Sequence, residues 1–353
     1  MSIGSTRPSC RSRDPGPRPG GSTVTREPGG QIEISSPLAT TGAECIAVAA
    51  ADLALLRQTV ERAGLVLVGR GLDPYREPPR VVDHLRYLAM ERYFDREGSW
   101  GRTMMRRTAS VQVNLTATTP EGSFGRRLRW QLVHRLGPVL VAAFANSPLS
   151  ARRPPDGRPP GKPPGRKWTQ GAPPAACPTR PPPGPGMPWT RSCSAYPAVL
   201  QKTGRRPPAS PSGTGCGAAC GLRVPGITDL DCHLSTLFPP VRPRGWLELR
   251  MIDAQDGDDW IAAAAVASVL LDDPAAADSA YATTAPLCGD DQGPTQEARL
   301  RAARRGLADP DLAKAACMCF AAADDSVRTV VADYPNRYPE RGRCPADDPL
   351  SRA

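Results

Sequence analysis

Leu247-Glu248-Leu249-Arg250-Met251 alternates apolar and charged side chains one for one. Side chains on a β-strand point to opposite faces in turn, so this period of two predicts a strand with one buried face, Leu247, Leu249 and Met251. The other face then carries Glu248 and Arg250. Two further stretches read the same way. Ser110-Val111-Gln112-Val113-Asn114-Leu115 places Val111, Val113 and Leu115 inward, with Gln112 and Asn114 opposite. Gln31-Ile32-Glu33-Ile34-Ser35 places Ile32 and Ile34 inward, with Gln31 and Glu33 opposite. Lys and Thr, the common fillers of a solvated strand face, are nearly absent from these polar sides. Carboxylates, amides and guanidinium groups stand there instead, which points to a site built on a sheet.

The rest of the chain is less uniform. Its 353 residues suffice for one large core or two moderate ones, but 42 prolines are too many for one compact domain. The formal charge of +10 suggests nucleic-acid binding until it is located. Between residues 151 and 225 there are twelve Lys and Arg against the single acid Asp156, a balance of +11. The remainder holds 45 − 12 = 33 bases and 35 − 1 = 34 acids, so its charge is −1 and electrically ordinary. The same block has nineteen prolines in 75 residues and no helical or strand period. Such a composition cannot bury enough apolar surface to offset its ordering entropy, so a disordered insert is expected there. A shifted reading frame in GC-rich DNA would produce the same composition, a second expectation that re-reading the gene in its other frames tests.

No apolar leader stretch stands in the first 30 residues, and the longest apolar run, Trp260 to Leu271, is short for a span of about 18–20 residues. A cytoplasmic location and no membrane partner follow by default. Eleven scattered cysteines fit reduced thiols better than a disulfide framework. Residues 1–22 read as a disordered tail, 23–150 and 226–353 as two parts of one folded body. Within that body the periodicity predicts helices over 44–63, 81–97, 127–146 (kinked before Pro138), 258–271, 295–307 and 309–323, and an additional strand at Leu65–Val68.

The acids come next. Glu27 and Glu33 flank the Pro28-Gly29-Gly30 turn, and Glu248 lies on a distant strand. On a shared sheet they would converge, and two carboxylates about 4 Å apart repel by roughly 4 kcal/mol at an effective dielectric near 20. A proton or a cation would have to sit between them. Carboxylates with few His or Cys neighbours favour a hard ion such as Mg²⁺ over zinc, the usual companion of ATP phosphates. Arg242, Arg244 and Arg250 around Glu248 would bind the same phosphates, or a substrate carboxylate, by paired hydrogen bonds. No G-x-x-x-x-G-K-[ST] loop is present, so any ATP binding is not of the P-loop type.

These residues are familiar as a set. Glu27-Pro28-Gly29-Gly30-Gln31-Ile32-Glu33-Ile34-Ser35, Thr108-Ala109-Ser110-Val111-Gln112-Val113-Asn114-Leu115 and the long run from His233 to Arg250 resemble the glutamate–cysteine ligases of the plant and actinobacterial type, in the branch serving ergothioneine biosynthesis. The segment Arg341-Gly342-Arg343-Cys344-Pro345 is similar too. The resemblance implies an α+β, glutamine-synthetase-like carboxylate–amine ligase fold, an antiparallel sheet flanked by helices. It implies an ATP- and Mg²⁺-dependent ligase whose small-molecule partners are glutamate, cysteine and ATP. By the same resemblance Glu27, Glu33 and Glu248 are metal ligands, Gln31, Gln112, Asn114 and Arg244 bind substrate or ATP, and Arg242 and Arg250 are catalytic.

Two departures from the family pattern are visible. Only about 22 low-complexity residues precede Thr23, where family members carry a further acid-rich strand, and Thr116 stands where Asp is usual. An inactive relic of a ligase is therefore one alternative. A basic-insert protein binding nucleic acid is another, against which the 151–225 block offers only Trp168, Trp189 and Tyr196 for base stacking. The same residues leave zinc unsupported: the pairs Cys216/Cys220 and Cys317/Cys319 lack a matching second pair.

Overall fold

A computed structural model describes residues 19–97, 100–117, 125–147, 227, 234, 236–331 and 333–348. The 151–225 block and His233 lie outside the described residues. The chain divides into two compact units. The first runs up to Thr25 and resumes over Glu33–Leu67; the second takes Arg26–Ile32 and the chain from Val68 onward. The division falls inside the body expected at 23–150.

In the first unit, helix α1 (Gly42–Arg62) is opened by Thr41, whose hydroxyl accepts from the Glu44 N–H at 3.1 Å, leaving Leu56 buried along its inner side. Asp52, fully buried on α1, accepts from the backbone N–H groups of Gly20 at 2.7 Å and Ser22 at 2.8 Å. The end of the expected tail is thus fastened to the helix. Leu65 and Val66 form no strand: this stretch is irregular, and both side chains are exposed. An apolar run without a pairing partner does not become a strand on propensity alone.

Strands β1 (Thr23–Arg26) and β2 (Ile32–Ser35) form a two-stranded hairpin of their own. The expectation that the Gln31–Ser35 stretch shares a sheet with the other two polar-faced strands is therefore corrected. Its inward face is corrected too: Ile32 is exposed, because a four-residue strand in a two-stranded ribbon covers little of itself.

The second unit carries the main sheet. Strands β3 (Ser110–Thr116), β4 (Val241–Pro243) and β5 (Trp246–Asp253) are antiparallel in the order β3-β5-β4, so β5 is central. Leu247, Leu249 and Met251 are buried as the alternation predicts. Behind them lies α4 (Arg126–Ala143), whose Leu132, Leu136, Val139 and Leu140 are almost fully enclosed. It runs through Pro138 without a break in the helix. Helices α5 (Asp259–Asp272), α6 (Pro274–Thr283), α7 (Gln296–Arg305) and α8 (Pro310–Val331) complete the helical layer, with α9 (Tyr334–Arg337) following. Helix α8 extends eight residues beyond the expected Ala323. The apolar α5 is short and core-facing, and no single helix among the described residues is long and apolar enough to cross a membrane. The architecture is a mixed α+β one.

Two shorter helices precede β3. Helix α2 (Leu85–Phe94) is capped by His84, and α3 (Trp100–Arg107) was not foreseen in the sequence. The segment before them crosses the end of β5 closely enough to require glycine. A Cβ on Gly71 would lie 2.3 Å from Asp253 Cγ, a clash that no rotamer of a buried side chain relieves. Asp253 itself is fully buried and accepts from the Asn146 N–H at 2.9 Å and the Ser147 hydroxyl at 2.7 Å. These bonds lock the end of β5 to the end of α4.

Candidate active site

The register of the three strands sets one row of polar side chains side by side. Asn114 on β3 lies opposite Glu248 on β5, and Glu248 lies opposite Arg242 on β4. Neighbours across a sheet on one face stand about 4.5–5.5 Å apart at Cβ, so this row is a contiguous patch. Two positions further along β5, Arg250 and Trp246 fall on the same face as Glu248.

Glu248 is the hub. Its side chain is 8% exposed and has Arg244 Nε at 3.2 Å and Arg242 Nη1 at 3.7 Å from Oε2, while Arg250 Nη1 donates to Oε1. Arg250 also donates from Nη1 to Gln112 Oε1 at 3.0 Å, and its guanidinium lies 5.9 Å from the Phe238 ring centroid. Gln112 sits at a bulge. Between the pairs Val111–Ile252 and Val113–Leu249, β5 supplies two residues, Arg250 and Met251, where β3 supplies one. Bulges bend a strand and re-aim a side chain, here bringing Arg250 back over Glu248. Arg242 is held by the Leu237 carbonyl, to which Nη2 donates at 2.7 Å, while its buried Nε donates to no group among the described residues.

The electrostatics follow from this crowding. Burial, together with the charges of Arg250, Arg244 and Arg86, pushes the Arg242 guanidinium down to about 10, against the upward pull of Glu248. Four arginines and one glutamate give the patch 4 − 1 = +3. A cationic patch with one buried donor unused is a site for an anion: a phosphoryl group or a carboxylate binds such guanidinium edges in pairs.

Six of the nine sequence-derived candidates are thus brought together: Gln112, Asn114, Arg242, Arg244, Glu248 and Arg250. Gln31 is elsewhere and otherwise employed. Its Oε1 accepts from the Gly29 N–H at 2.9 Å, and its Nε2 donates to the Thr108 carbonyl at 2.9 Å. Both ends of the amide fasten the turn at 28–30 to the chain just before β3. Gly29 needs to be glycine for the same reason, since a Cβ there would lie 2.0 Å from the Arg106 carbonyl oxygen.

Among the described residues no three His, Cys, Asp or Glu side chains are grouped as a metal site. Glu33 belongs to the first unit and accepts from the Ser35 hydroxyl at 3.3 Å; Glu27 lies in the hairpin turn. Glu248 is encircled by guanidinium groups; its Oε1 accepts from Arg250, while its buried Oε2 accepts no hydrogen bond among the described residues.

Sequence reasoning missed two members of the patch. Trp246 carries on the 246–248–250 face and donates from Nε1 to Asn114 Oδ1 at 3.1 Å. Phe238 backs Arg250 and meets Phe94 of α2 at 6.5 Å between centroids. The alternation that revealed Glu248 and Arg250 also marks Trp246, had it been extended one step back. Phe238 had no such signal. On α2, Met90 is core, while Arg86 contributes charge toward Arg242.

Residues 10–340 match the family described as glutamate-cysteine ligase family 2. The chain belongs to that family. It is similar to the glutamate–cysteine ligase EgtA of Mycobacterium tuberculosis (strain CDC 1551 / Oshkosh), 38% identical over 94% of this chain and 77% of the relative. It is equally similar, at 38% identity over 94% of this chain and 78% of the relative, to EgtA of Mycolicibacterium smegmatis. The chloroplastic glutamate–cysteine ligase of Arabidopsis thaliana is 35% identical over 39% of this chain and 26% of its own length. The first two relatives match at the level of the whole chain, the plant enzyme at the level of a segment.

Proposed function

We propose that this chain is an ATP-dependent glutamate–cysteine ligase acting in ergothioneine biosynthesis, and that the polar face of the three-stranded sheet is its phosphoryl-transfer site. The observation that carries the reading is the clustering of Arg242, Arg244 and Arg250 on one buried carboxylate, in a chain belonging to a ligase family.

The chemistry asks for positioning and charge neutralisation. A γ-carboxylate oxygen of glutamate attacks the γ-phosphorus of ATP; the new P–O bond forms as the bond to ADP breaks. The cysteine amine then attacks the acyl carbon, a C–N bond forms, the C–O bond to phosphate breaks and the amine releases a proton. Neither step needs a protein nucleophile. Both develop negative charge on phosphoryl oxygens, and preoriented cations that need no rearrangement stabilise it. Arg250, fixed by Gln112 and Phe238, and Arg242, fixed by the Leu237 carbonyl, are preoriented in this sense. Arg244, half exposed, suits capture of an incoming anion. Glu248 holds the three cations together until substrate anions take up their free edges.

The purified full chain, given ATP with a divalent ion, glutamate and cysteine, is expected to release one phosphate per γ-glutamylcysteine formed, with no steady release when either amino acid is omitted. Folded protein that forms no γ-glutamylcysteine at saturating substrates overturns the reading.

A further inference from the structure

The ligase reading leaves one feature of the patch unused. Trp246 is 43% exposed, although a large aromatic ring is normally covered. It is not loose, because its indole N–H is committed to Asn114 Oδ1 at 3.1 Å, which fixes the ring on the sheet face. It stands on the side chain row that continues to Glu248 and Arg250, and burial falls off along that row. Glu248 is buried and Arg250 half-buried, while Asn114, Arg244 and Trp246 are exposed. Trp246, with Arg244, therefore marks the open, solvent side of a site in which Arg242 and Arg250 lie deeper.

The order of the chemistry gives that position a meaning. The acyl phosphate has to form before an amine can attack it, so the amine substrate needs a path to the acyl carbon that the bound anions leave clear, and the open side provides one. ATP and glutamate present anionic groups that require the arginines. Cysteine presents a short, uncharged, polarisable CH₂–SH, which suits an aromatic ring and gains from sulfur–aromatic contact. We infer that Trp246, aimed by Asn114, is the specificity residue for the side chain of the amine substrate and contacts the cysteine thiol. This rests on the ligase reading above and adds to it the residue that selects the acceptor.

The test uses the full chain and steady-state kinetics with each substrate varied in turn. Trp246→Leu, which keeps an apolar group, is expected to raise the KM for cysteine about three- to tenfold, the range set by a sulfur–aromatic contact. KM for ATP and for glutamate is expected to stay as in the unaltered chain. The preference for cysteine over 2-aminobutyrate, which carries a methyl in place of the thiol, is expected to shrink by a similar factor. Trp246→Phe keeps a ring and is expected to retain most of that preference. A merely structural Trp246 would not move the cysteine-to-aminobutyrate ratio, so an unchanged ratio overturns the inference. So does a rise confined to the KM for ATP, which would place the adenine ring on Trp246 instead. Failure of the unaltered chain to ligate at all is a distinct result and counts against the ligase reading.

Discussion

Replacing Glu248 with Gln removes the carboxylate that Arg242, Arg244 and Arg250 share while preserving its shape. At 3.7 Å and an effective dielectric near 20, the Arg242 attraction alone is about 4–5 kcal/mol before desolvation. Arg244, half exposed, adds about 0–1 kcal/mol because solvent screens it. Desolvation offsets much of this gross figure, and losing one partner of a buried pair typically costs about 3–5 kcal/mol, through the uncompensated charge left behind. We therefore expect Glu248→Gln to destabilise the second unit by about 3 kcal/mol, a fall in Tm of roughly 6–12 °C. The origin of the loss is checkable because an added anion can replace the missing charge. Phosphate at 100 times its Kd would restore about 2.7 kcal/mol, and it should stabilise the variant more than the unaltered chain, where Glu248 competes for the same cations. Thermal melts in low-salt buffer, with and without phosphate, measure both effects. A variant that melts within about 2 °C of the unaltered chain, corresponding to less than about 1 kcal/mol, refutes the hub role of Glu248. Equal stabilisation of both proteins by phosphate refutes the anion-site reading.

Other perturbations test separate links. Gln112→Leu is expected to free Arg250 from the bulge and lower kcat at least about tenfold with little change in Tm, the signature of lost positioning; an unchanged kcat would show that Arg250 needs no such support. Gly29→Ala drives a Cβ to 2.0 Å from the Arg106 carbonyl and should cost about 2 kcal/mol or more, read from a denaturant midpoint; a neutral result would mean that the hairpin turn is not seated there. His134, whose ring N–H donates to the Trp130 carbonyl, is held down to about 4 by burial and by Arg299. Its pKa in the unfolded chain is near 6.5, so the unfolded state binds the extra proton and His134 lowers stability as pH falls from about 6.5 toward 4, by at most about 3 kcal/mol. The difference in Tm between the unaltered chain and His134→Gln, followed across that window, should shrink or reverse at the acid end; a pH-independent difference contradicts the shift.

The two faces of β5 were legible because one side of that strand is buried. Leu247, Leu249 and Met251 are enclosed by α4 and its neighbours, so the period of two survives in the sequence. What the period does not encode is register. The Asn114–Glu248–Arg242 row and the bulge at Arg250–Met251 depend on how separate strands align, which is decided by packing across the sheet. The hairpin of β1 and β2 shows the converse: Gln31-Ile32-Glu33-Ile34 has the same alternation, yet pairs elsewhere and leaves Ile32 exposed. Helix α3 is amphipathic, with Trp100, Met104 and Met105 set against Arg102, Arg106 and Arg107, but at eight residues it is too short for its period to stand out in the sequence. Arg242, Arg244 and Arg250 were legible as sequence neighbours of Glu248, but their convergence on its carboxylate depends on the β4–β5 register.

Transition-state charge in this site has to be met by these guanidinium groups, and Arg250, bonded to both Glu248 and Gln112, is the most firmly held of them. Steady-state ligation by Arg250→Ala beside the unaltered chain measures this directly. Loss of a preoriented charge-stabilising donor should lower kcat by about 10²–10³, with Arg250→Lys recovering only part, because a point charge does not reproduce the paired guanidinium bonds. A chain that ligates glutamate to cysteine at an undiminished rate with Ala at 250 would place the chemistry somewhere other than this sheet.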